Sequence, residues 1–267
     1  MSGSRWFRSL LVAALALAIA FLTLPVVAIF AATTPGELAR SIAEPGALDA
    51  LLLSLETTSI ALAIILAVGT PAAYLLATRS FRGRSLAVTL VELPLVLPPA
   101  VAGIGLLAAL GPSGILGGLV EDAGVRLVFE TAGVVVALTF VASPFYVRQA
   151  QAAFSAVDPT LLEASRSLGA SEPRSFLGVA VPTALPGLIT GAALAWGRAL
   201  GEFGATLMFA GSFRGVTQTV PLAIYERFAT DFTAALGLSA VLVAVSAAIL
   251  MTVKLATRAS PARVLTR

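Results

Sequence analysis

The chain predicts an all-α, polytopic transmembrane helical bundle of six spans, with the N- and C-termini cytoplasmic. Three observations carry this. Hydrophobic residues fill 58% of the 267 positions and charged residues only 12%, about half the roughly 25% of a soluble domain. The mean hydropathy is +0.97. The apolar residues gather into runs of about 20 or more, the length a helix needs to cross a hydrocarbon core. The basic residues stand singly or in small clusters at the ends of those runs, which is a topology signal.

The spans fall at Leu10–Ala32, Leu51–Ala77, Leu86–Leu110, Phe129–Val147, Leu185–Gly211 and Ala234–Leu255. Arg5 and Arg8 precede the first, as in a signal peptide. That run is about 23 residues, past the 7–15 of a signal h-region, so an uncleaved helix is favoured. Six crossings put both termini on one side. The N-terminus, 78–85, 148–184 and the C-terminus hold Arg5, Arg8, Arg79, Arg82, Arg84, Arg148, Arg166, Arg174, Lys254, Arg258, Arg263 and Arg267, 12 in all, against 4 (Arg40, Arg126, Arg214 and Arg227) on the other side. The excess of Lys and Arg marks the cytoplasmic side. With no long linker, low-complexity tail or clear repeat, residues 1–267 read as a single transmembrane domain, multi-pass in the plasma or inner membrane.

Composition also excludes chemistry. There is no His and no Cys. That removes imidazole acid–base catalysis, thiol nucleophiles, and His/Cys metal sites. No catalytic residue and no metal ligand set is expected. Lys254 is the one lysine, and no phosphate-cradling G-x-x-x-x-G-K-[ST] surrounds it. If ATP is used, another chain must therefore bind it. A net charge of +3 spread over span ends does not make a nucleic-acid surface.

The cytoplasmic segment 148–184 holds the most structured polar stretch, 158–182. Asp158 is a good N-cap and Pro159 a good first-turn residue. Leu161, Leu162, Ser165 and Leu168 recur at helical spacing as one face. Gly169 sits where a left-handed C-terminal cap is expected. Ser171 can cap a second helix running to about Val181, with Pro182 and Pro186 punctuating entry to the fifth span. On the residues alone, a solvated loop joining the fourth and fifth spans is favoured over a docking element, because polar loops are much the commoner.

Glu163-Ala164-Ser165, Gly169 and then Val179-x-Val181-Pro182 resemble the EAA loop of ABC importer permeases, E-A-A, three residues, G, nine residues, I-x-L-P. Ser165 replaces the last alanine, and two valines replace the aliphatic pair. The resemblance extends from the second span to the sixth. Gly69-Thr70-Pro71-Ala72-Ala73-Tyr74, Arg79 with Phe81-Arg82-Gly83-Arg84, Leu93–Pro99 with Gly103, and Gly201–Gly211 are similar to the molybdate/tungstate/sulfate group. The last motif is most similar to molybdate and tungstate permeases. The resemblance implies a permease subunit that is not itself an enzyme and works by alternating access. It implies a second permease copy as homodimer partner, two ATPase subunits that bind ATP and Mg, an external oxyanion-binding protein, and surrounding membrane lipid. Glu163, Ala164, Ser165, Leu168, Gly169 and Pro182 would couple to the ATPase. A sulfate/thiosulfate permease is the near alternative and an ion-driven secondary transporter the remote one.

Pro94, Pro98 and Pro99 each remove a backbone donor from the third span and disfavour a straight helix. On the residues a packing kink and a bend lining a path fit equally. The resemblance favours the path, and with Arg198, Gly201, Glu202, Phe203 and Gly204 the prolines form the candidate translocation path or gate. Arg198 and Glu202 are spaced i,i+4. An ion pair or a gate-structural role is favoured over a free positive charge offered to a passing anion, since charges inside a span are commonly paired. Gly187-x-x-x-Gly191 and Gly197-x-x-x-Gly201 permit close helix approach. Glu92 and Glu56 read as snorkelling or helix-pairing carboxylates, and Leu222, Tyr225 and Phe228 as a short interfacial helix.

Overall fold

The computed structural model describes residues 3–259, which form helices and connecting turns with no strand among them. Arg263 and Arg267, counted above as cytoplasmic, lie outside the described residues.

The helices are α1 (Gly3–Ala31), α2 (Pro35–Ala43), α3 (Ala47–Thr78), α4 (Arg84–Val96), α5 (Pro99–Leu110), α6 (Gly117–Asp122), α7 (Thr131–Ser155), α8 (Pro159–Ser167), α9 (Glu172–Ser175), a π-helical turn (Phe176–Ala180), α10 (Val181–Leu200), α11 (Gly204–Ala210), α12 (Val220–Phe228) and α13 (Phe232–Ala259). Five stretches are long and apolar enough to cross a membrane: α1, α3, α7, the run from Glu172 to Leu200, and α13. The sixth expected span is broken. α4 and α5 are bent from one another by 118°. At about 1.5 Å per residue neither covers a core about 30 Å thick alone.

The contacts show that this broken pair still carries the chain across. α3 and α7 are parallel neighbours: Gly69 packs against Tyr146, Thr70 Oγ1 lies 2.6 Å from Tyr146 Oη, and Tyr74 stacks edge-on to Phe154 at 5.3 Å. Two parallel helices need a return crossing between them, and 84–110 supplies it. α4 begins beside the end of α3, where Arg84 Nε–H donates to the Leu76 carbonyl at 2.9 Å. α5 then joins Ala102 and Leu106 to Ala137 and Val141 of α7 in a second apolar cluster.

α10 runs antiparallel to α7. A Cβ on Gly187 would lie 2.5 Å from Ala153 Cβ, and one on Gly191 would lie 3.1 Å from Gln149 Cβ. The first of the two small-residue pairs is thus a helix contact. The second is not: nothing lies within 4 Å of such an atom on Gly197. Polar ties close the far end of the bundle. Trp196 Nε1–H donates to Thr58 Oγ1 at 2.9 Å, and the Val220 N–H donates to Ser54 Oγ at 2.8 Å.

Three of the boundaries that differ from the sequence reading bear on the site. α7 runs eight residues past Val147, because 148–155 stays helical and buries Ala150 and Phe154. The fifth span begins not at Leu185 but at Glu172, with no break at Pro182 or Pro186. It ends at Leu200, with Gly201–Phe203 outside helix and α11 separate. α2 and α6 were not anticipated. α2 carries a capping box: Thr34 Oγ1 accepts from the Glu37 N–H at 3.2 Å, and Glu37 accepts from the Thr34 N–H at 2.7 Å. The interfacial helix expected around Leu222 is α12. Only Leu222 of its three named residues is buried; Tyr225 and Phe228 are exposed.

Candidate functional site

The first candidate region is the end of the bundle that carries α8. Asp158 Oδ1 accepts from the Thr160 N–H at 2.9 Å, which holds its carboxyl below the usual range. Pro159 opens the helix. Gly169 closes it at φ +84, a conformation that costs a side-chain-bearing residue about 1–2 kcal/mol. The Ala170 N–H donates back to the Ser165 carbonyl at 3.1 Å. These caps follow the sequence reading.

The face of α8 does not follow it. Leu162 is buried and Ser165 half-buried, but Leu161 is exposed and Leu168 is 90% exposed. Leu162 and Ser165 centre the inward side of α8, whereas Leu161 and Leu168, seven residues apart and so nearly in register, fall on its exposed flank. Glu163, Ala164, Arg166 and Gly169 are exposed beside it.

Pro182 does not punctuate the chain; it shapes the turn before it. Lacking an N–H, it cannot bond to the carbonyl four residues back. The chain widens there into the π turn, and the Val181 N–H reaches the Phe176 carbonyl. Phe176 packs on Tyr74 at 4.7 Å and on Phe154 at 6.1 Å. An Arg79–Glu172 ion pair ties the end of α3 to the start of α9. Arg148 and Glu92, 2.6 Å apart, tie α7 to α4, which gives Glu92 the helix-pairing role.

The second candidate region is where the two broken spans meet. A Cβ on Gly204 would lie 2.9 Å from Pro99 Cβ. One on Gly103 would lie 2.6 Å from the Ala205 carbonyl oxygen and 2.7 Å from Met208 Cβ. The break at Pro98–Pro99 therefore sits against the break at Gly201–Phe203, and α5 packs on α11 at backbone distance. Pro94 is not part of this contact; it lies inside α4, which buries none of its residues.

Arg198 Nη2 and Glu202 Oε2 are 2.6 Å apart, with the two side chains 27% and 1% exposed. The other carboxylate oxygen, Oε1, accepts from the Ala205 N–H at 2.8 Å. Glu202 thus neutralises Arg198 and fixes the start of α11 at once. The ion-pair reading holds here, and the backbone bond adds what spacing could not reveal. Phe203 stacks on Tyr225 of α12 at 4.9 Å. Nearby, Arg214 bonds Glu226 at 2.6 Å and holds its carboxyl below the usual range; partial burial opposes this and the Gln218 amide adds to it.

The sequence reading missed Ser175, which is fully buried with its Oγ 2.9 Å from Ser165 Oγ. The available signal was a serine at 165 where the motif carries alanine. Among the described residues, no cluster of Asp or Glu is arranged to hold a metal ion.

Residues 69–265 match the family described as binding-protein-dependent transport system inner membrane component. The chain is 42% identical over 234 residues to the molybdenum transport system permease protein ModB of Mycobacterium tuberculosis, covering 87% of this chain and 88% of that one. It is 34% identical to the probable transport system permease protein NifC of Clostridium pasteurianum, over 89% of this chain and 83% of that one. Among solved structures, a bacterial ABC transporter that imports the acidic polysaccharide alginate has the same fold, with a TM-score of 0.74 at 16% identity over 96% of this chain and 97% of that one. The MetNI methionine ABC transporter in inward-facing form aligns with a TM-score of 0.59 at 20% identity, over 80% and 94%.

Proposed function

This chain belongs to the binding-protein-dependent transport system inner membrane component family, and from that premise we propose that it is the permease subunit of an ATP-driven importer for molybdate or tungstate. It is a multi-pass membrane protein and an ABC permease. The observation that carries the coupling half of the proposal is α8: capped at both ends, exposed along Glu163, Ala164, Arg166 and Leu168, and joined through α9 to the 172–200 helix. A partner ATPase that displaces α8 displaces a membrane-crossing helix with it.

In this reading the α8 end faces the cytoplasm, supported by the 12 basic residues against 4 on the other side. Two ATPase subunits bind ATP and Mg and close on α8 of two permease copies. An external oxyanion-binding protein delivers cargo at the α12 end. Glu163, Ala164, Ser165, Leu168, Gly169 and Pro182 form the coupling element. The path or gate is the junction of Pro98, Pro99 and Gly204, with Arg198, Gly201, Glu202 and Phe203 around it. Because Glu202 neutralises Arg198, the pair holds the junction in shape and leaves a weak anion field. A carrier needs that, since cargo must leave as well as enter.

The cargo assignment is supported by the Gly201–Gly211 motif and by relatives whose names say molybdenum. The test is uptake by liposomes holding the permease with its ATPase and binding protein. Tungstate and molybdate should be accumulated with ATP and not without it. Sulfate uptake in their place would overturn the cargo, and uptake driven by an ion gradient without ATP would overturn the class.

A further inference from the structure

Ser175 has a job that neither the motif nor the path explains. It is 0% exposed, and its hydroxyl meets one partner, Ser165 Oγ at 2.9 Å. Ser165 stands where the motif it resembles has alanine. An alanine there would leave the Ser175 hydroxyl buried with nothing to bond, a costly arrangement. The two serines therefore work as a matched pair.

Their positions give the pair a mechanical meaning. Ser165 is on the inward side of α8, which otherwise reaches the bundle through one buried apolar side chain, Leu162. Ser175 ends α9 and is followed by Phe176, whose ring packs on Tyr74 of α3 and Phe154 of α7. Between the two serines, the chain turns at Gly169 with positive φ. Without a cross-link, α8 could swing about that turn and leave the long helix behind. The Ser165–Ser175 bond spans the turn and closes that freedom.

We propose that Ser175 is a positioning residue for energy coupling, whose hydrogen bond to Ser165 latches α8 to the base of the 172–200 helix so that the two move as one unit. The inference rests on the permease reading above. It concerns how α8 is held, and says nothing about which oxyanion is carried.

The test uses the full complex of permease, ATPase and tungstate-loaded binding protein in liposomes, and reads ATP hydrolysed per tungstate taken up. Ser175→Ala and Ser165→Ala should each raise that ratio by roughly three- to tenfold, the factor one net hydrogen bond supports. The double variant should be no worse than the worse single one, because one bond is lost in each case. Ser165→Thr, which keeps a hydroxyl, should stay near the unsubstituted ratio. The pair Ser165→Cys with Ser175→Cys, oxidised to a disulfide, should transport at least as tightly coupled as when reduced.

The latch is refuted by an unchanged ratio in Ser175→Ala, by additive effects in the double variant, or by a disulfide that stops uptake, which would mean α8 must part from Ser175 in each cycle. If Ser175→Ala does not co-purify with the ATPase, the Ser165→Ala and Ser165→Thr contrast decides alone. A complex without substitutions that takes up no tungstate, molybdate or sulfate would instead refute the permease reading.

Discussion

The α8 end and the α5–α11 junction hold their shape in opposite ways. At the α8 end, exposed side chains surround a helix fixed by caps, one leucine and one hydroxyl pair. At the junction, two chain breaks lie against each other with no room for a Cβ at Gly103 or Gly204, and a carboxylate that is 1% exposed secures the second of them through Arg198 and the Ala205 N–H. The first region keeps its surface free and is held by few contacts, as a docking element must be. The second has little freedom to rearrange except as a block. In the proposed cycle, motion would start where restraint is light and arrive where packing transmits it whole.

Substitutions can break or sharpen that contrast. The largest effect belongs to the junction. Arg198→Ala leaves the Glu202 carboxylate buried and unpaired, and should cost about 3–5 kcal/mol. Adding Glu202→Gln should recover most of this, since the amide still accepts from the Ala205 N–H; thermal unfolding of the purified permease measures both. Gly103→Val drives a side chain into the Ala205 carbonyl and should cost about 2 kcal/mol, read the same way. At the α8 end, Gly169→Leu should cost about 1–2 kcal/mol through its positive φ. Its larger signature is functional: ATP hydrolysis continues while oxyanion uptake falls. Normal uptake in that variant would remove the turn from the coupling path. Asp158→Ala loses an N-cap, about 1 kcal/mol, and should lower the unfolding temperature slightly. A junction that tolerates its substitutions better than the α8 end would reverse the comparison.

The smallest effect is a pH dependence. Arg214 lowers the Glu226 carboxyl in the folded protein from its ordinary value of 4.5. A depressed acid contributes stability above its unfolded pKa and loses it as pH falls through the folded value. The decline therefore belongs below about pH 4.5, and with Glu226 partly exposed it is a few tenths of a kcal/mol. Glu226→Gln should flatten that part of an unfolding-temperature profile against pH.

Local physics made much of this legible. The hydropathy runs located the crossings, and Asp158, Pro159 and Gly169 marked both ends of α8, because caps and positive φ depend on one or two residues. The breaks were less legible. A hydropathy window passes smoothly through Leu97–Pro99 and Gly201–Phe203, since all of these but Glu202 are apolar or small. The prolines flagged a bend in the third span but not its 118° size, nor that α11, about 100 residues away, packs against it. Leu161 and Leu168 were misplaced because the spacing does not tell which side of a short helix turns inward, and packing selected Leu162 and Ser165. Pairings such as Glu92–Arg148 and Pro99–Gly204 are tertiary, and no spacing rule reaches them.

The unbroken run from Glu172 to Leu200 has a further consequence. Its glycine contacts with α7 are at Gly187 and Gly191, and a tilt in the proposed cycle would pivot near them. Roughly 17 residues, about 25 Å, lie on the α8 side of them, and roughly 11, about 17 Å, on the Arg198 side. With that pivot the helix would act as a lever with its longer arm towards the proposed motor. A tilt of about 5° swings the motor end by about 2 Å and the Arg198 end by about 1.5 Å. Such a lever gives up travel for force, which suits prying apart a junction packed at backbone distance. A joint at Pro182, where the sequence suggested one, would have let the long arm flex and wasted the stroke.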